Sequence, residues 1–74
     1  MRVPEIEHNI QRTTDLLAAL SITRAGLAAL NKAVDDDGSS DAITLIDDAM
    51  TQLRHGTLNG LEIMLSEAGA RRAA

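Results

Sequence analysis

The acidic segment DDDGSSD, residues 35–41, divides the chain into two apolar, helix-forming arms of similar length. Gly38 can adopt the left-handed conformation that ends many helices, and Ser39 or Ser40 can cap the next helix. Acidic residues before a glycine also occur in EF-hand loops, but a loop with this glycine at its sixth position would begin at an alanine and fail that pattern. The segment therefore predicts a solvated turn over residues 36–39.

The arm before the turn has its larger apolar residues at helical spacing, with steps of mostly three, four or seven positions. The stripe consists of Ile6, Ile10, Leu17, Leu20, Leu27 and Val34, with Thr13 on the same side. Pro4 suits a first helical turn, where its missing N–H is not needed. We predict helix 1 over about residues 4–35.

The arm after the turn repeats this pattern. Its stripe is Ile43, Ile46, Met50, Leu53, Thr57, Leu61, Met64 and Ala68. Gly56 and Gly60 could break a helix, but the stripe keeps its spacing through them, which favours one continuous helix over a break near Gly56. We predict helix 2 over about residues 40–68, with Gly69 as its C-cap and residues 69–74 as a frayed tail.

Two helices joined by a short turn predict an all-α fold, an antiparallel two-helix hairpin that forms a single domain over residues 1–74. A turn centred on residue 37 would bring residue i near residue 74 − i, so that Leu17 would lie opposite Thr57.

Composition excludes several classes of function. The chain has no cysteine and no aromatic residue, which excludes disulfides, thiolate zinc sites and aromatic base-stacking surfaces. Its net charge of −4 argues against general nucleic-acid binding. No apolar run is long enough to cross a membrane, and the N-terminus lacks the apolar core of a signal peptide. We expect a cytoplasmic protein of a bacterium or of a phage-infected cell.

The apolar surface is wider than one hairpin can bury, which predicts self-association into a helical bundle, most simply a four-helix homodimer. Small residues at Ala42, Ala49 and Gly56 recur every seven positions and would allow close helix packing. The expected oligomer interface comprises Leu16, Leu20, Ile22, Ala25, Leu27, Ala29, Leu30, Ala49, Leu53, Gly56, Gly60, Leu61 and Met64.

Residues that could support catalysis are few. His8 and His55 fall at distant levels of the expected hairpin, so they cannot share a metal ion within one protomer. No phosphate-binding loop, dinucleotide-binding motif or HExxH motif occurs. We therefore expect a non-enzymatic protein with no cofactor and no metal site.

Charged residues suggest two sites for ligands or partners. Arg24 and Arg54 could bind an anion, although Arg24 could equally form a salt bridge with Asp47 or Asp48. The acidic tip, formed by Asp35, Asp36, Asp37 and Asp41, could dock on a basic patch of another protein or could simply keep the turn soluble.

The run AMTQLRHG, residues 49–56, resembles part of the last helix of small phage proteins that sequester cyclic nucleotides and block anti-phage signalling. The similarity rests on Ala49, Thr51, Gln52, Leu53 and Gly56. It implies an oligomer of small helical subunits with ligand pockets between them. The hairpin architecture is also similar to that of small type III secretion co-chaperones.

These observations lead to one expected function and its alternatives. We expect a small regulator, inhibitor or chaperone-like subunit that self-associates and binds another protein. The alternatives are a sponge for a cyclic nucleotide or similar anion at subunit interfaces, and a secretion co-chaperone or structural assembly subunit.

Overall fold

The computed structural model describes residues 1–73, which form a long antiparallel helical hairpin measuring 58 × 15 × 14 Å. Helix α1 spans Val3–Val34. The second arm is helical throughout and consists of α2 (Asp37–Gln52), a π-helical segment (Leu53–Leu58) and α3 (Asn59–Ala73). No strand is present in the described residues, and the predicted all-α hairpin is confirmed.

The turn between the arms is shorter than predicted. Asp35 takes the left-handed conformation, with φ 50°, and its N–H donates to the Asn31 carbonyl at 2.7 Å. Asp36 is extended and caps α2 by accepting a hydrogen bond from the Ser39 N–H at 3.0 Å. The predicted turn over residues 36–39 was therefore wrong, as were its caps at Gly38 and the serines. A short acidic side chain tolerates the left-handed conformation and caps a helix well, so glycine is not needed.

A hydrogen-bonded serine ties the two helix ends together at this turn. Ser39 is buried, and its hydroxyl donates to the Asn31 side-chain oxygen at 3.0 Å and also bonds to the Asp36 carboxylate. Because Asn31 belongs to α1 and Ser39 to α2, this contact helps to set the level at which the arms begin to pair.

The arms meet along a narrow seam whose residues alternate steps of three and four. On α1 the seam consists of Val3, Ile6, Ile10, Thr13, Leu17, Leu20, Arg24, Leu27 and Asn31, all buried or half-buried. Only Ile6, Met50 and Leu61 are buried apolar residues among those described. Thr13 is also buried, and its hydroxyl donates to the Asn9 carbonyl at 2.7 Å, so its polar group is satisfied within α1.

The seam on the second arm changes phase at the π-helical segment. Before it, the seam runs through Ser39, Ile43, Ile46, Met50 and Leu53; after it, through Leu58, Leu61, Leu65 and Ala68. The second arm stays helical through Gly56 and Gly60, as predicted. The predicted stripe was wrong at Thr57 and Met64, which are exposed. A π turn accommodates one extra residue, so Leu58 instead of Thr57 follows Leu53 in the seam.

The end of the second arm also differs from the prediction. Helix α3 continues to Ala73, past the expected end near residue 68 and the expected cap at Gly69. Alanine and arginine favour helix, and basic residues near a C-terminus complement the helix dipole, so residues 70–73 extend the helix. Residue 74, the last of the predicted tail, lies outside the described residues.

The phase change predicts an unusual tolerance to deletion. Deleting Gly56 should turn the π-helical segment into regular α-helix, because Leu53 and Leu58 then stand four positions apart and the rest of the seam keeps its phase. We expect helical circular dichroism to be retained and the midpoint of thermal unfolding to stay level or rise.

The control is deletion of Asp48, which is equally exposed but lies in regular helix. This deletion shortens the step from Ile46 to Met50 and rotates Met50 and Leu53 out of the seam by about 100°. It should lower the midpoint by roughly 10 °C or more, the effect of losing core contacts. Equal damage from the two deletions would contradict the assigned seam.

Candidate interaction surface

The seam leaves the hairpin with two flat faces, one on either side of it, and these faces differ in chemistry. In antiparallel helices that pair through steps of three and four, the residues preceding the seam on each helix share one face, and the residues following it share the other. The ion pair between Arg24 and Asp47 lies across the second of these faces and agrees with this geometry.

The first face, which we call the apolar face, carries large exposed apolar side chains. Leu16 and Leu30 are each 50% exposed, Leu45 is 70% exposed and Met64 is 38% exposed. Between them lie the small or neutral residues Ala19, Thr23, Gly26, Ala42, Ala49 and Gly60. These positions carry no charge, and large exposed apolar patches on small proteins mark contact surfaces.

Thr23 does not make this face polar. Its hydroxyl donates to the Ala19 carbonyl of its own helix at 2.9 Å. Because the hydrogen-bonding donor is already satisfied, Thr23 can be covered by an apolar surface at small cost.

The opposite face, which we call the polar face, carries hydroxyl and charged groups. Thr14, Thr44 and Thr51 donate to carbonyls of their own helices at 3.0, 3.3 and 2.9 Å. Asp47 and Arg54 also lie on this face, both exposed. The charged side chains therefore distinguish this face from the apolar face, since its threonine hydroxyls are bonded within their own helices as Thr23 is.

Arg24 and Asp47 form a two-pronged ion pair between α1 and α2. The Arg24 Nε donates to Asp47 Oδ1 at 2.5 Å, and Nη2 donates to Oδ2 at 3.2 Å. Hydrogen bonding to Asp47 raises the pKa of Arg24, and the same bond lowers the pKa of Asp47 from its ordinary value of 3.8. Of the two outcomes expected for Arg24, the structure contains the salt bridge.

This pairing also corrects the predicted level of the arms. With the turn at residue 37, Arg24 would have lain opposite Met50, whereas it contacts Asp47, three positions closer to the turn. The shorter turn accounts for the shift, because α2 begins earlier than predicted.

The two arginines of the expected anion site therefore differ. Arg24 already holds a carboxylate, so an anion binding there must compete with Asp47. Arg54 is exposed, and no ion pair joins it to another residue among those described. It lies seven residues from Asp47 along the same arm, or about 10 Å along a helix axis.

The expected oligomer interface separates into two groups in the structure. Leu20, Leu27, Leu53 and Leu61 are half-buried or buried in the seam, so the chain itself covers them. The exposed or half-buried members are Leu16, Ile22, Ala25, Ala29, Leu30, Ala49, Gly56, Gly60 and Met64.

Only part of this second group belongs to the apolar face. Ile22, Ala25 and Ala29 point away from it by their helical positions, whereas Leu45, which sequence reasoning left out of the interface, belongs to it. Leu45 stands three positions after Ala42 and four before Ala49, and this spacing could have placed it on the same helix face from the sequence.

The acidic tip is exposed at Asp35, Asp36, Asp37 and Asp41, as its position in the turn predicted. Asp36 has a structural role as well, because hydrogen bonds from the Ser39 side chain and backbone lower its pKa from the ordinary value of 3.8. The tip is therefore both a helix cap and a concentration of negative charge.

Two shallow depressions lie on the surface of the hairpin. One lies on α1 alone and is lined by His8, Gln11, Arg12, Asp15 and Leu16, with Arg12 Nη2 and His8 Nε2 3.2 Å apart. A groove at the open end is lined by Met1, Ile6, Met64, Glu67, Ala68 and Arg71. No cluster of three metal-ligating side chains occurs among the described residues.

Comparison with known proteins gives no relative: no family model, curated protein or solved structure matches the chain. Within residues 1–73, no helix combines the length and apolar character that crossing a membrane requires.

The carboxyl pKa values predict acid sensitivity. Asp36 and Asp47 both have pKa values below 3.8 in the folded chain, so they stabilise it above that pH, and this contribution is lost as the pH falls below it. We expect the thermal midpoint to fall between about pH 5 and pH 2.

The variant Asp47→Asn should have a lower midpoint at neutral pH and a shallower loss in acid, because it has no carboxylate left to protonate there. Asp48→Asn is the matched control, since Asp48 has no ion-pair partner among the described residues, and it should keep the wild-type slope. Identical slopes for all three proteins would contradict a stabilising role for the Arg24–Asp47 pair.

Proposed function

We propose that this chain is a non-catalytic binding protein that homo-oligomerises and acts on a protein partner, as a small regulator, inhibitor or chaperone-like subunit. The observation that carries the proposal is the apolar face, with Leu16, Leu30, Leu45 and Met64 exposed and no charge among them. On a small protein, an exposed apolar surface of this kind marks a contact with another surface.

The small core supports the self-association. Three buried apolar side chains hold together the described part of a 74-residue chain that has no disulfide to assist them. Chains of this size usually need a disulfide, a metal or an oligomer to reach ordinary stability. Oligomerisation would enlarge the core by using side chains that the single hairpin leaves exposed.

Charge supports a separate contact with another protein. The acidic tip stays outside the apolar face, so it would remain available in an oligomer, and it suits a basic patch on a partner through electrostatic complementarity. The expected site of action is the cytoplasm.

Light scattering coupled to gel filtration tests the oligomer. We expect a mass of two or more times 7.9 kDa at micromolar concentration. An interface of standard size is expected to form well below about 100 μM. A well-folded helical monomer at concentrations up to about 100 μM would therefore overturn the proposal.

Charge reversal at the tip tests the partner contact. Asp37→Lys with Asp41→Lys should abolish copurification of the bound protein from the native host while leaving the oligomer mass unchanged, because both residues lie outside the apolar face. Replacing Asp15 and Glu62 by lysine changes the charge equally, away from the tip, and should leave copurification intact. Retention of the partner by the tip variant would contradict a role for the tip.

Nucleotide binding is the second candidate, favoured by the exposed guanidinium of Arg54, which has no ion-pair partner among the described residues and lies within the segment that resembles the phage sponge proteins. A sponge should gain thermal stability from a cyclic dinucleotide or cyclic mononucleotide, by roughly 2.7 kcal/mol at a hundred times the Kd. Arg54→Ala should remove this gain. Under the leading proposal, no such nucleotide shifts the midpoint of either protein.

A further inference from the structure

We infer that a second copy of this chain covers the apolar face and runs antiparallel to the first, with a two-fold axis passing at the level of Thr23 and Ala49. This inference rests on the proposed self-association and names the surface, the occupant and its direction. Four observations support it: the area of the chain, the spacing of large and small residues, the level of the two arms and the distribution of charge.

The accessible area fits a missing partner of this size. The chain exposes 5316 Å². A compact monomer of 7.9 kDa is expected to expose about 4,400 Å², so the hairpin exposes roughly 900 Å² in excess. A standard protein interface buries about 800 Å² on each partner, which is close to this excess.

The apolar face of α1 is self-complementary about Thr23. Leu16 and Leu30 lie seven residues to either side of Thr23, so an antiparallel copy brings Leu16 of each chain opposite Leu30 of the other. Ala19 and Gly26 lie between them and leave room for close approach. A two-fold interface requires this reciprocity, in which residue i meets residue j and j meets i.

The second arm places a small residue at the same level. The contact between Arg24 and Asp47 brings residue 23 level with residue 48, so Ala49 lies within one residue of the level of Thr23. Ala49 belongs to the apolar face, and its small side chain leaves room for the second arms of the two copies to approach each other there. One axis can therefore pass Thr23 on the first arm and Ala49 on the second.

Charge selects the antiparallel direction. Near the turn, Lys32 accompanies Asp35, Asp36, Asp37 and Asp41, a net charge of −3. A parallel copy would set two such ends side by side, well within the range of charge repulsion. An antiparallel copy separates them along the 58 Å hairpin and brings Arg12 of each chain beside Asp35 of the other.

Single-cysteine cross-linking tests the direction, and the chain offers a clean background because it contains no cysteine. With a short bismaleimide, Thr23→Cys and Ala49→Cys should each cross-link to themselves, since both lie on the axis. Leu16→Cys should cross-link in a mixture with Leu30→Cys and not with itself. Ser21→Cys, on the polar face, is the control and should stay uncross-linked.

Two outcomes would overturn the inference while leaving the proposed oligomer standing. Efficient cross-linking of Leu16→Cys to itself would mean a parallel copy. Cross-linking through Ser21→Cys in place of Thr23→Cys would mean that the polar face is covered.

A buried charge gives an independent test of the face. Leu45→Glu should raise the Kd of the oligomer at least about 100-fold while helical circular dichroism is retained, because Leu45 is largely exposed in the single hairpin. Ile63→Glu is the matched control, since Ile63 is exposed on the outer edge, and it should leave the Kd unchanged.

An unchanged mass for Leu45→Glu would overturn the inference about the face. A monomeric wild-type protein would instead overturn the proposed self-association itself, so the two failures are distinguishable.

Discussion

The contact between the two arms along a seam with steps of three and four is the constraint on which the rest of the structure depends. Each helix contributes only about one residue per turn to the seam, and the chain has no aromatic side chain to widen it. The core is therefore a line of mainly aliphatic side chains, with Ile6, Met50 and Leu61 as its buried apolar members. Everything outside that line, including large leucines, remains at the surface.

The π-helical segment is a consequence of keeping this seam intact. Between Leu53 and Leu58 the sequence has one residue more than regular α-helix allows, and the helix absorbs it instead of rotating Leu58, Leu61 and Leu65 away from α1. The irregular hydrogen bonding has a cost, and the burial of the later seam residues offsets it. The same adjustment moves Met64 out of the seam and onto the apolar face, so a local irregularity determines part of the surface chemistry.

The division of the surface into one apolar and one polar face is the feature on which the proposed assembly rests. The polar face satisfies its hydroxyls and its central ion pair internally, as Thr14, Thr51 and the Arg24–Asp47 pair do. The apolar face also bonds the Thr23 hydroxyl within its own helix, but it carries no charge between Leu16 and Leu30. A protein with this asymmetry is well suited to assembly through one side while keeping the other side and the charged turn available for a different contact.

The amino-acid sequence alone determined the two helices, their antiparallel pairing and the existence of more apolar surface than one hairpin can bury. These properties follow from local spacing and composition, which are read along the chain. The position of the acidic tip and the possible salt-bridge partners of Arg24 could also be predicted from the sequence. The resemblance of residues 49–56 to phage sponge proteins remains a prediction.

Only the tertiary structure decided the phase of the seam, the level of the arms and the composition of the apolar face. The stripe through Thr57 and the stripe through Leu58 are both compatible with helical spacing, and the choice depends on which set α1 covers best. Likewise, Asp36 and not a serine caps α2, because the cap must also fit the Asn31–Ser39 contact between helices. These outcomes are set by long-range packing, a balance that local sequence patterns do not contain.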